Sequence, residues 1–84
     1  MNANQRRTLK RVMSRPAPED IPWPDIESML RRVGVAVKER PGSRVALVKD
    51  GELMLLRLPH RKPLAVSATV KDIAAFLRAA GVKP

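Results

Sequence analysis

The sequence predicts an α+β domain of order αβββα: a three-stranded antiparallel sheet with two helices on one face, preceded by a short basic N-terminal extension. Three observations predict it. Ile26, Met29, Leu30 and Val33 fall at i, i+3, i+4 and i+7, the apolar stripe of an amphipathic helix. Asp50-Gly51 lies between two alternating segments, the strongest short-range hairpin signal. Val70, Ile73, Ala74, Phe76, Leu77 and Ala80 form a second, broader helical stripe near the C-terminus.

Taken in chain order, residues 1–15 carry Arg6, Arg7, Lys10, Arg11 and Arg15 and no acid. Leu9, Val12 and Met13 sit at helical spacing, so a short basic helix fits there. The stretch Arg15-Pro16-Ala17-Pro18-Glu19-Asp20-Ile21-Pro22 is a proline-rich connector, because proline fixes φ and removes an amide donor. Residues 1–20 are therefore expected to be an extension and connector, and residues 21–84 the compact domain. Pro24 suits the first turn of the next helix, where its missing N–H costs nothing. Asp25 and Glu27 complement the positive start of that helix, Arg31 and Arg32 its negative end, and Gly34 is the expected stop.

Val35-Ala36-Val37-Lys38-Glu39 alternates as a short strand does, and Arg40-Pro41-Gly42 turns the chain. Strands are expected over 44–49 and 52–58, flanking a two-residue turn that sets Lys49 opposite Glu52 as a favourable charge pair. The same register puts Val45, Leu47, Met54, Leu56 and Leu58 on one face, and Arg44, Ala46, Val48, Leu53, Leu55 and Arg57 on the other. Arg44 and Arg57 then stand directly opposite each other. Like charges so placed are destabilising. A clamp for an anion, with each guanidinium able to bind in bidentate fashion, is the functional reading; two long side chains splaying into water, or a different strand register, are the alternatives. The last helix is expected over 69–80, with Ser67 or Thr69 as its cap, Thr69 and Asp72 as an approximate capping box, and Gly81 as its end.

Eighty-four residues, 44% of them hydrophobic, make one small domain with a modest core. The formal net charge of +9 attracts nucleic acid, acidic protein or an anionic membrane surface. Trp23 and Phe76 are the only aromatic residues, which argues against RNA recognition by stacking platforms. No apolar run approaches the ~20 residues of a bilayer span. The polar, basic N-terminus lacks a signal-peptide h-region, so a cytoplasmic protein is expected.

Chemistry is limited further by what is scarce. There is no cysteine and one histidine, which excludes Cys–His nucleophilic catalysis and histidine-rich metal sites. No metal and no small-molecule cofactor is expected. The single histidine, His60, lies in the most basic loop, Leu58-Pro59-His60-Arg61-Lys62-Pro63. One imidazole beside several cations suits handling a phosphate and moving a proton near it; a histidine in a solvated loop is the plainer reading. The mixed basic and apolar face bearing Arg44 and Arg57 is a candidate surface for a partner.

The αβββα order is shared with the double-stranded-RNA-binding domain, and the residue pattern resembles the HicA family, the toxin components of HicA–HicB toxin–antitoxin pairs. The matching pieces are Ile21-Pro22-Trp23, Gly34, Gly42-Ser43-Arg44-Val45, Arg57-Leu58-Pro59-His60 and Phe76-Leu77-Arg78-Ala79-Ala80-Gly81-Val82, spread over residues 21–84. The basic residues 1–20 resemble the extension of one subgroup. The resemblance implies a small ribonuclease that cuts mRNA without a metal and is neutralised by a HicB-like antitoxin. The best-known members carry Gly-Ser-His where this chain has Gly42-Ser43-Arg44, and that histidine is the catalytic one. Arginine stays protonated and cannot act as a general base, which leaves His60 the only imidazole for the role.

On that reading His60 and Arg44 are the catalytic candidates, His60 as general acid or base and Arg44 stabilising charge on phosphorus. Arg57 and Ser43 would hold RNA beside them. Arg61 and Lys62 would position the backbone, with no membrane involved. The competing class is a non-catalytic module that binds RNA, or a degenerate toxin that binds only its antitoxin. A third class is a DNA-binding protein that uses residues 1–15 as a basic arm.

Overall fold

The structure, a computed structural model, describes residues 1–57, 65 and 67–83. The chain folds as α1 (Ala3–Val12), α2 (Trp23–Arg32), β1 (Ala36–Arg40), β2 (Arg44–Lys49), β3 (Glu52–Arg57) and α3 (Ser67–Ala79). The three strands form one antiparallel sheet in the order β1-β2-β3. The class is α+β, as expected, and the short basic helix read within residues 1–15 forms as α1.

It is the packing of that helix that moves the domain boundary ahead of residue 21. Leu9, Val12 and Met13 are buried in the same apolar cluster as Ile26, Met29, Leu30, Leu47, Ile73 and Leu77. Val12 is fully buried, so α1 is part of the domain rather than an appendage to it. It packs on α2 and α3, not on the sheet. Polar contacts fix the same interface: Gln5 Nε2 donates to Ser28 Oγ (3.0 Å), and Asn4 Nδ2 to Asp25 Oδ1 (3.4 Å). A capping box opens the helix. The Gln5 amide donates to Asn2 Oδ1 (2.7 Å) and the Asn2 amide to Gln5 Oε1 (3.0 Å), satisfying two otherwise orphaned donors.

Helix α2 starts as proline at its first turn dictates and ends at a glycine. Gly34, at φ +93, lets the Val35 amide reach back to the Leu30 carbonyl (2.9 Å) while its own amide meets Arg31 (3.2 Å), the Schellman arrangement. Gly81 ends α3 in the same way, with Val82 bonded to Leu77 (2.8 Å). The conformation requires a residue that tolerates positive φ. Gly34→Ala is therefore expected to cost about 1–2 kcal/mol, a melting temperature lower by roughly 4–16 °C. The new Cβ would stand 3.2 Å from Lys49 Nζ, the free end of a flexible side chain that can move aside. Backbone strain is thus the larger cost. Gly34→Asn should lose less, and a thermal melt of the two variants checks both statements.

In the β2–β3 hairpin, Asp50 (φ 49) and Gly51 (φ 83) both take positive φ, the type I′ requirement. Arg44 pairs with Arg57, Val45 with Leu56, Leu47 with Met54 and Lys49 with Glu52. This is the register the sequence predicts. The expected Lys49–Glu52 ion pair is not the one Lys49 makes: its Nζ lies 3.4 Å from Asp50 Oδ2. The ammonium also lies beside Gly34 at the C-terminal end of α2, where the helix dipole favours a cation.

Three further boundaries differ from expectation. β1 runs through Arg40, so the turn to β2 is Pro41-Gly42-Ser43, with Gly42 (φ 78) and Ser43 (φ 60) carrying the reversal. Val35 closes the α2 stop rather than opening β1. α3 begins at Ser67, two residues early, so Thr69 lies inside its first turn and the Thr69–Asp72 capping box is not its start signal.

Candidate nucleic-acid interface on the open sheet face

Strand pairing divides the sheet into two faces. Val37, Val45, Leu47 and Leu56 point into the core against the helices and are buried. Among the described residues no helix packs on the opposite face. Its residues form three rows across the strands: Arg40, Arg44 and Arg57; Lys38, Ala46 and Leu55; and Ala36, Val48 and Leu53. The first row is wholly cationic and exposed, whereas Leu53 and Leu55 are 64% and 63% exposed. The face therefore grades from cationic at the Pro41–Ser43 end to apolar at the Asp50-Gly51 end. Ala46 is fully buried between Lys38 and Leu55.

The row of three arginines is more than the expected pair. Arg44 and Arg57 are cross-strand partners as anticipated, and Arg40 joins them through the β1–β2 register. Directly opposed residues on one face have Cβ atoms about 4.5–5.5 Å apart. None of the three makes an ion pair among the described residues. All eight acidic side chains of the chain fall within that described part. Three unpaired guanidinium groups side by side repel one another. An anion with several acceptor oxygens between them reverses the sign of that interaction, and guanidinium matches phosphate geometry closely. The sequence signal for Arg40 was its place four residues before Arg44 across a three-residue turn. Read as a turn residue, it was missed.

Ser43 is the last residue of the turn, half-buried, with φ 60. A non-glycine residue held there stores strain of about 1–2 kcal/mol, set immediately before Arg44. Strain of this kind concentrates at functional sites. The structure thus brings Ser43, Arg44 and Arg57 to one end of the sheet. His60, Arg61 and Lys62, as well as Leu58, lie outside the described residues. In sequence, His60 follows Arg57 by three positions.

Among the described residues no three acidic or histidine side chains converge in a way that would hold a metal, and no helix is long and apolar enough to cross a membrane. Comparison of the chain with protein-family models, with curated proteins and with solved structures found no match.

Proposed function

We propose that this protein is a HicA-type toxin: a metal-independent ribonuclease that acts on mRNA in the cytoplasm and is neutralised by a HicB-like antitoxin. The observation that carries the proposal is the exposed Arg40–Arg44–Arg57 row. It stands where the Gly42-Ser43-Arg44 segment of the family resemblance enters β2, and on the strand that leads to Leu58-Pro59-His60. The α2-β1-β2-β3-α3 order also supports it.

In this mechanism the arginines seat one phosphodiester on the open face. Attack by the neighbouring 2′-hydroxyl breaks the bond from phosphorus to the 5′-oxygen. The 2′-oxygen bonds to phosphorus to give a 2′,3′-cyclic phosphate and a free 5′-hydroxyl; His60 moves one of the two protons, from the nucleophile or to the leaving oxygen, and water carries the other. Arg44 and Arg57 stabilise charge as it grows on the non-bridging oxygens. Arg61 and Lys62 add sequence-independent backbone contacts. One imidazole cannot serve as both acid and base in a single step, so the enzyme is expected to be slow. Leu53 and Leu55 give the same face an apolar part. An acidic antitoxin that covers it would bury the leucines and pair with the arginines, and charge complementarity would speed its association.

Arg44→Ala tests the site. RNA affinity should fall and the slope of log K against log salt should shrink by about 0.7 for each lost contact to single-stranded RNA. Lys83→Ala is the control, and equal effects from the two variants would remove Arg44 from the RNA site. The second reading, a module that binds RNA or antitoxin without cleaving, is favoured by one observation: an arginine, not a histidine, follows Gly42-Ser43. It predicts the same binding losses with no cleavage by the wild type.

A further inference from the structure

The open sheet face leaves a second concentration of positive charge unexplained. Helix α1 holds Arg6, Arg7, Lys10 and Arg11 in ten residues with no acid. The first acidic residue of the chain is Glu19. Arg11 pairs with Asp20, while Arg6, Arg7 and Lys10 make no ion pair among the described residues and are exposed. The aliphatic stems of these three side chains, with Ala3, line one shallow groove of ≈ 260 Å³. Arg6 and Lys10 are like charges at i,i+4, which opposes helix stability, although Lys10 and Arg11 in the last turn complement the helix dipole.

A separate basic feature lies beyond the C-terminal end of α1. Ser14 and Arg15 follow the helix into a cleft of ≈ 620 Å³, whose other wall is α3 with Lys71 and Arg78. No acid lines the cleft among the described residues. The Arg78 guanidinium is held there by its bond to the Met13 carbonyl (3.3 Å). Since α1 packs on α2 and α3, the α1 track and the cleft both belong to the helical side of the domain, away from the arginine row.

We propose that Arg6, Arg7 and Lys10 on the exposed face of α1 form a second nucleic-acid-binding surface that grips the phosphodiester backbone. Charge complementarity names the occupant. A regular row of phosphates matches cations repeating along a helix, and the charges that destabilise the free helix become favourable when counterions are released on binding. The surface contributes affinity without base recognition. It does not depend on cleavage at the sheet face.

The test measures binding of a labelled single-stranded RNA and a labelled DNA duplex over a range of salt concentrations. It compares the wild type, Arg6→Gln/Arg7→Gln/Lys10→Gln, Arg40→Ala/Arg44→Ala/Arg57→Ala, and all six substitutions together. Glutamine keeps the apolar stem and the helix propensity, so circular dichroism should show a melting temperature equal to or above the wild type. The α1 triple variant should lower the salt slope by about two units on whichever nucleic acid occupies the track, in the wild-type background and again in the arginine-row background. The RNA and duplex DNA arms identify the natural source. Unchanged slope and affinity on both probes would overturn the proposal. If the arginine-row variant alone lost binding, the sheet-face reading would stand without the track; if the α1 variant alone did, the track would stand and that reading would fall. Weaker binding to polyglutamate with nucleic-acid binding intact would also overturn the proposal, since it would make the track a protein contact.

Discussion

Replacing His60 by alanine is expected to lower the rate of RNA cleavage by about 10²–10⁴-fold, the share that general acid–base catalysis contributes. RNA binding should fall far less, because Arg40, Arg44 and Arg57 stay on the open sheet face. No other side chain of this chain has an unperturbed pKa that permits proton transfer near neutrality. The reciprocal variant, Arg44→His, restores Gly-Ser-His at positions 42–44 and supplies a second imidazole for the other proton. It should maintain or raise the rate even though one cation of the row is lost. Single-turnover cleavage of labelled RNA measures both. A His60→Ala protein that cleaves as fast as the wild type would remove His60 from the mechanism. A wild type that cleaves no RNA and leaves cell growth untouched would favour the binding-module reading.

The second large effect concerns the N-terminus. Removing residues 1–15 should unfold the domain or lower its melting temperature by tens of degrees. Leu9, Val12 and Met13 are buried, and each such side chain is worth about 1.5–3 kcal/mol. Together they match a large part of the roughly 5–15 kcal/mol that holds a small domain folded. The truncation also strips the Met13 carbonyl from Arg78 and the Asn4 and Gln5 contacts from α2. Leu9→Ala alone should cost about 2–5 kcal/mol. Chemical denaturation of the truncated chain and of Leu9→Ala checks both figures. A truncated protein that melts within a few degrees of the full chain would mean that α1 only rests on the domain. Loss of nucleic-acid binding in this truncation would not by itself identify a basic arm, since the fold is expected to fail with it.

Local chemistry made much of this fold legible. Asp50-Gly51 requires positive φ at two successive residues, and that requirement alone set the β2–β3 register down to the Arg44–Arg57 pair. Gly34 and Gly81 marked two helix ends because few other residues accept the conformation of a Schellman stop. Where a boundary was missed, a longer-range contact had shifted it. Pairing with β2 draws β1 out to Arg40, and the turn falls on Pro41-Gly42-Ser43 instead. The Asn2–Gln5 capping box was readable from its spacing. Its segment is so rich in arginine that composition alone marks it as an appendage, and only the burial of Leu9 and Val12 places it in the core.

The sequence by itself determined the α+β class, the hairpin and its register, the ends of α2, and the chemical inventory of one histidine, no cysteine and a net charge of +9. These follow from backbone stereochemistry and composition, which act within a few residues. Only the tertiary structure decided that Leu9, Val12 and Met13 belong to the core, that Arg40 completes a row of three, and that α1 and α3 share a basic cleft. An apolar stripe states a period and not a partner. Whether it is buried depends on the surface that another part of the chain presents to it, and for α1 that surface is made by α2 and α3.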